Sequence, residues 1–272
     1  MKPEMSEFSY GFAFTSELVS SLGSHLLAAP QFPSLQQEGK PGGGYDVKID
    51  YGLPLFLQFK LSHHLTRTNS KEYRLMGGAY YRWHMHALRH SAQHGLLLDL
   101  ESKGHDVFYI APVFHQTAQL NTHYLAVSIV DDSAAVRPGE IGPLPDDQEH
   151  YVVFNNRPLA YRCSDNPLQV EFRMMKDRLA VYKNQRKPRA LNEAGIIKIT
   201  DEIVDVLRQS RKHRPLGVHK SINPDDIAGA IRNRPTLETL AFLSRTVLDS
   251  ELLILAPQGK VTKRIQRRRK SK

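Results

Sequence analysis

Cysteine is almost missing from this chain of 272 residues, with Cys163 the single example. A lone thiol can make neither an internal disulfide nor a multi-cysteine zinc shell, and it suits a reducing compartment, so a cytoplasmic location is expected. No Asn or His environment is apparent around Cys163, which is therefore not read as a nucleophile. Long apolar runs are missing too. No stretch of about 18 apolar residues occurs and the N-terminus carries no signal-peptide pattern, so no membrane partner is expected. A phosphate-cradling Gly-Lys-Ser/Thr loop is also lacking. Gly42-Gly43-Gly44 runs into a strand-like segment and so has no helix N-terminus behind it, as a nucleotide loop requires.

Enough apolar residues remain, 40% of the chain, to fill one or two ordinary cores. The net charge of +9 is a property of one end: Lys260, Lys263, Arg264, Arg267, Arg268, Arg269, Lys270 and Lys272, with no acid among them, supply all but one unit of it. Residues 260–272 are read as a disordered tail that attracts polyanions without sequence preference. A near-neutral body then needs a local groove for any nucleic-acid specificity.

The most informative stretch is residues 44–62. Asp46 to Asp50 alternates as a strand does, Tyr51-Gly52-Leu53-Pro54 supplies turn residues, and Leu55 to Leu61 is a second, more apolar run. An antiparallel hairpin is expected, with Asp46 across from Gln58 or Lys60. A period of two keeps Gln58 and Lys60 on one face and Leu57, Phe59 and Leu61 on the other. An amide and an ammonium inside an apolar strand need partners, because burying either alone costs several kcal/mol. An edge strand with its polar face in water is one answer. A cleft is the other, in which Asp46 binds a divalent cation, the Gln58 carbonyl completes the coordination, and Lys60 holds the attacking water or the charge developing on phosphorus.

Asp46 followed by Gln58-Phe59-Lys60 resembles the active-site pattern of the PD-(D/E)XK nuclease superfamily, the restriction-endonuclease-like fold. The resemblance implies an α/β fold, a mixed sheet flanked by helices, and a nuclease dependent on Mg²⁺ or Mn²⁺. It implies DNA ahead of RNA as substrate and a bacterial defence or restriction-type role. Two departures stand out: Gly-Tyr-Asp replaces Pro-Asp, and Gln58 stands where an acid is usual, which removes one negative charge from the metal site. The alternative is a catalytically inactive protein of this fold that binds nucleic acid or anchors a protein partner or a second copy of itself.

Thr15 or Ser16 is expected to cap a first helix in which Leu18, Leu22 and Leu26 recur at helical spacing. Glu17 in its first turn either offsets the helix dipole or, by the resemblance, points at the metal. Glu38, ahead of the Gly-rich segment 39–44, is a second candidate donor, and Gln93 is a supporting residue on the resemblance.

Tyr73 to Leu100 reads as a helix kinked near Gly77-Gly78. His86, His90 and His94 would then share one face, either solvated or phosphate-facing, or gripping a transition metal for which no carboxylate partner stands at a recognised spacing. Asp106 to Pro112 is a continuous apolar strand, and Tyr124 to Val130 and Tyr151 to Phe154 are further strands. Helical spacing covers Leu168 to Tyr182, Asp201 to Ser210, Asp225 to Asn233 and Thr236 to Leu255, joined by basic linkers that would suit a phosphate backbone. The expected division is a nuclease-like core over 1–160, a mostly helical basic extension over 161–259, and the tail.

Overall fold

The computed structural model describes residues 1–22, 25–28, 50–157, 159–164, 166–185, 187–213, 226, 229 and 235–256. Along the chain run α1 (Glu7–Leu22), β1 (Tyr51–Phe59), β2 (His63–Leu65), α2 (Tyr73–Met76), β3 (Tyr80–Met85), α3 (Gln93–Ser102), β4 (Asp106–Pro112) and α4 (Thr117–Ala126). There follow β5 (Ser133–Val136), α5 (Pro138–Ile141), β6 (His150–Phe154), β7 (Ala160–Cys163), β8 (Leu168–Val170), β9 (Arg173–Met174), α6 (Met175–Gln185) and β10 (Arg189–Ala190). The last are α7 (Glu193–His213), α8 (Leu237–Leu248) and β11 (Glu251–Leu255).

β1 is the axis of the fold. It pairs antiparallel with β11 from Leu53↔Leu255 to Leu57↔Glu251 and parallel with β4 from Leu55↔Asp106 to Phe59↔Ile110, while Tyr51 and Gly52 pair with β10. β5 runs antiparallel to β4, and β9 to β5, which completes a mixed sheet. A second sheet, ordered β2-β3-β6-β7-β8, is antiparallel throughout. Among the described residues no helix is long and apolar enough to cross a membrane.

Side-chain alternation along β1 sorts the core into two layers. Leu53, Leu55, Leu57 and Phe59 pack with Tyr10, Phe14 and Leu18 of α1. Phe56 points the other way, into a cluster shared by Leu96 and Leu100 of α3, Ile203 of α7, Leu240 of α8 and Trp83 of β3. Helices therefore cover both faces, which is why β1 can be apolar almost throughout. Gly11 lets α1 close on the sheet: a Cβ there would lie 2.9 Å from Cδ2 of Phe59.

Several sequence expectations are corrected. Tyr51 to Pro54 is strand instead of turn, because Gly52 finds a ladder partner in β10 and Leu53 and Pro54 find theirs in β11. Asp46 to Ile49, the expected partner strand, lies outside the described residues, as does Glu38. The long helix over 73–100 is replaced by α2, β3 and α3. Gly77 at φ 68° and Gly78 at φ 150° end α2, and Trp83 and Met85 then alternate into the core. The strand expected over Tyr124 to Val130 is instead the end of α4, nucleated by a capping box at Gln116 and stopped by Val127 at φ 53°.

Leu168 to Tyr182 begins as β8 and β9 before α6, and Thr236 to Leu255 divides into α8 and β11. α1 starts at Glu7, ahead of Thr15, because the Ser6 hydroxyl accepts the Ser9 amide as an N-cap. The segment expected to form a helical extension supplies β10 and β11 to the main sheet and α7 and α8 to its cover. Most of Asp225 to Asn233, and the tail, lie outside the described residues.

Candidate functional site

At the C-terminal end of β1 the Phe56 face turns polar with Gln58, followed by Lys60. The Lys60 amide still donates to the Ile110 carbonyl at 2.8 Å, so its side chain leaves a backbone fixed by the parallel ladder. Lys60 Nζ donates to Gln93 Oε1 at 2.9 Å. Gln93, the first residue of α3, donates through Nε2 to Gln58 Oε1 at 2.8 Å and to Asp249 Oδ2 at 3.1 Å. Gln58 Nε2 donates to the Phe59 carbonyl at 3.0 Å and to Asp249 Oδ2 at 3.4 Å. Four side chains from three parts of the chain thus form one network, and Gln58, only 1% exposed, is satisfied at both ends of its amide.

Asp249 reaches this network because the α8–β11 turn aims it there. It sits at φ 49°, in the left-handed region that Asp tolerates, and two hydrogen bonds hold the turn: Ser250 N to the Ser244 carbonyl at 3.2 Å and Ser244 Oγ to the Ser250 carbonyl at 2.8 Å. Register then sets Asp249 across from the end of β1, since Leu57 pairs with Glu251. Arg245 Nη1 binds Glu251 Oε1 at 2.6 Å on the same turn.

Charges complete the cluster. Burial holds the Lys60 ammonium below the ordinary lysine pKa, while Glu7, in the first turn of α1, and Asp249 act in the opposite direction. Glu7 is pushed above the ordinary glutamate value, first by partial loss of its hydration and then by repulsion from Asp249, with Lys60 and Arg245 opposing. Both carboxylates are exposed at the rim, and Lys60 is half-buried between them and the amides.

Gln58, Lys60 and Gln93 are thus brought together. Glu17 is not with them: its carboxylate accepts the amides of Ile129 at 2.8 Å and Val130 at 3.0 Å, a structural task on the far layer. Glu7 and Asp249 were missed. The signal for Glu7 was Ser6-Glu7 ahead of Tyr10, Phe14 and Leu18, and for Asp249 it was Asp-Ser interrupting an apolar pattern before Leu252-Leu253-Ile254-Leu255.

The histidines are distributed differently from the single helix face expected. His94 is on α3 with its ring nitrogens on Tyr109 Oη at 3.0 Å and the Gly142 carbonyl at 2.8 Å. His90 lies in the turn after β3, where Arg89 Nε donates to its Nε2 at 3.2 Å. His84 and His86 belong to β3 and its continuation, and they meet Glu149.

No family model, curated protein or solved structure matches this chain.

Proposed function

We propose that this chain is a metal-dependent phosphodiester hydrolase of restriction-endonuclease-like fold, acting on nucleic acid with DNA as first candidate substrate. One observation carries the reading: a half-buried lysine held by a glutamine amide that also ties Gln58 and Asp249 together, beside the first turn of α1 and Glu7. Asp249 adds a carboxylate to this set. Asp46 and Glu38 stand as further donors to be tested by substitution.

Glu7, Asp249 and Gln58 offer oxygen atoms to a cation, the donor type that suits Mg²⁺ or Mn²⁺, and the repulsion between Glu7 and Asp249, which adds to burial in raising the Glu7 pKa, is what a cation would relieve. When bound, such an ion polarises the phosphate and acidifies a coordinated water. Lys60 would donate to the attacking water or to a non-bridging phosphate oxygen, and Gln93 fixes its direction.

The test is incubation of purified full-length chain with supercoiled plasmid and with single-stranded RNA, with and without Mn²⁺. Cleavage is expected only with the metal and is expected to fall on the order of 100-fold in Lys60→Ala and in Asp249→Ala. Unchanged cleavage by both variants would overturn the reading. The double engagement of the Gln58 amide favours a second one, an inactive nucleic-acid-binding protein. Salt-sensitive DNA retention with no hydrolysis in Mg²⁺ or Mn²⁺ would establish that instead.

A further inference from the structure

The geometry points to a second centre, independent of the hydrolase reading and sharing no residue with the lysine pocket: His84, His86 and Glu149 bind a divalent transition ion, with Zn²⁺ the natural occupant. Strand register builds it. His84 and His86 are two apart and so emerge on the same face, while Met85 between them is buried in the core. β3 pairs antiparallel with β6 through His84↔Tyr151 and Met85↔His150, so the next pair outward is His86 and Glu149. The three ligand atoms lie within 4.8 Å of one another.

Ligands about 2.0–2.1 Å from a tetrahedral zinc are roughly 3.3 Å apart, so no pair has to close by more than about 1.5 Å, and the His84–Glu149 pair, already in contact, opens to admit the ion. His86 is exposed and the other two are half-exposed, so rotamer changes alone can supply that movement. The donor set selects the ion. Two imidazoles and one carboxylate suit zinc and its borderline neighbours, whereas Mg²⁺ and Ca²⁺ take oxygen donors. Three protein ligands also leave a fourth position for water.

The surroundings hold the ligands in place. The His84 ring packs 5.2 Å from that of Tyr151, over whose face the Arg82 guanidinium lies 4.2 Å from the centroid. Asp147 Oδ1 accepts the Arg89 amide at 2.7 Å, and Asp146 Oδ1 lies 3.1 Å from His150 Nε2, so the segment leading to Glu149 is tied down on both sides. A His84–Glu149 ion pair alone accounts for two of the residues. It leaves unexplained why His86 stands edge-on to His84 with ring centroids 4.5 Å apart.

The experiment uses tag-free full-length protein prepared without chelator. Metal content is measured by mass spectrometry, and zinc affinity by competition with a chromophoric chelator. One zinc per chain is expected, undisturbed by millimolar Mg²⁺. His86→Ala and Glu149→Gln are each expected to weaken affinity at least tenfold, with circular dichroism and melting temperature in EDTA unchanged; His90→Ala is expected to bind as wild type. A wild-type chain that carries no more zinc than His86→Ala, or zinc lost in His90→Ala but retained in His86→Ala, overturns the inference. Zinc binding without nuclease activity leaves it standing, and Mn²⁺-dependent cleavage by a chain that takes up no zinc removes it alone.

Discussion

His105, just before β4, has no solvent-exposed side-chain surface, yet it faces both charge and aromatic surface. Its Nε2 lies 2.7 Å from Glu202 Oε2, its ring stands edge-on to Phe56 with centroids 5.5 Å apart, and Arg189 binds the same Glu202 oxygen at 3.3 Å. Burial, reinforced by Arg189 and opposed by Glu202, pulls its pKa down from 6.5 to about 4. Across that interval an unfolded chain takes up a proton that the native state refuses, so the native state loses stability as pH falls from 6.5 toward 4 and keeps it in full above. The total is about 3 kcal/mol. Urea unfolding from pH 7 to pH 4 should show this decline in wild type and a flatter profile in His105→Gln, which retains a donor for Glu202. Parallel profiles would show that another group governs acid sensitivity.

Two of the residues legible in sequence share a trait, whereas Gln93 was named only through the resemblance. Gln58 and Lys60 are polar positions in a run otherwise too apolar to carry them, and that contradiction marks them in the sequence itself. Glu7 and Asp249 carry no such mark: an acid in a first helical turn or after a helix is ordinary chemistry, and only the pairing of distant segments makes either one part of the pocket.

At the scale of elements, β4 and β6 were readable because each is a short apolar run bounded by turn residues, and α1 because its apolar spacing is regular. β3 and β11 were not. Tyr80–Met85 is rich in aromatic and histidine side chains whose burial on alternate positions is set by pairing with β6, and Glu251–Leu255 is leucine-rich enough to continue a helix until Asp249 and Ser250 turn the chain. The β10–α7 junction has a testable constraint of the same local kind. Asn192 Oδ1 accepts the Gly195 amide at 3.0 Å at the start of α7, and a Cβ on Gly195 would lie 2.1 Å from the Ala190 carbonyl oxygen. Alanine should therefore lower stability there by about 1–3 kcal/mol, although helix propensity alone would favour it by about 1 kcal/mol. Chemical denaturation of Gly195→Ala decides the sign; a variant more stable than wild type would mean that the junction relaxes freely.

For the whole molecule, the determining connection is long-range. The strand nearest the C-terminal end of the described residues lies directly against the strand nearest their start, and Leu27 N adds a bond to the Ile254 carbonyl at 3.0 Å on the outer edge of β11. A chain ending at residue 235 would leave one ladder of β1 open and remove α8 from the cover of the Phe56 face. It should lose cooperative thermal unfolding. A chain ending at residue 259 should melt as the full chain does, and should differ in a shallower dependence of DNA affinity on salt, because eight cations are lost with the tail. Equal salt slopes for the two longer chains would place the polyanion contact elsewhere.

The position of β11 also orders events in time. During synthesis Lys60, Gln58 and Gln93 leave the ribosome long before Asp249, and the seat beside β1 stays empty until residues 251–255 follow. The cluster therefore acquires its aspartate only after α3 to α8 have all been made, and a nascent chain stalled earlier holds the lysine and both glutamines without that carboxylate.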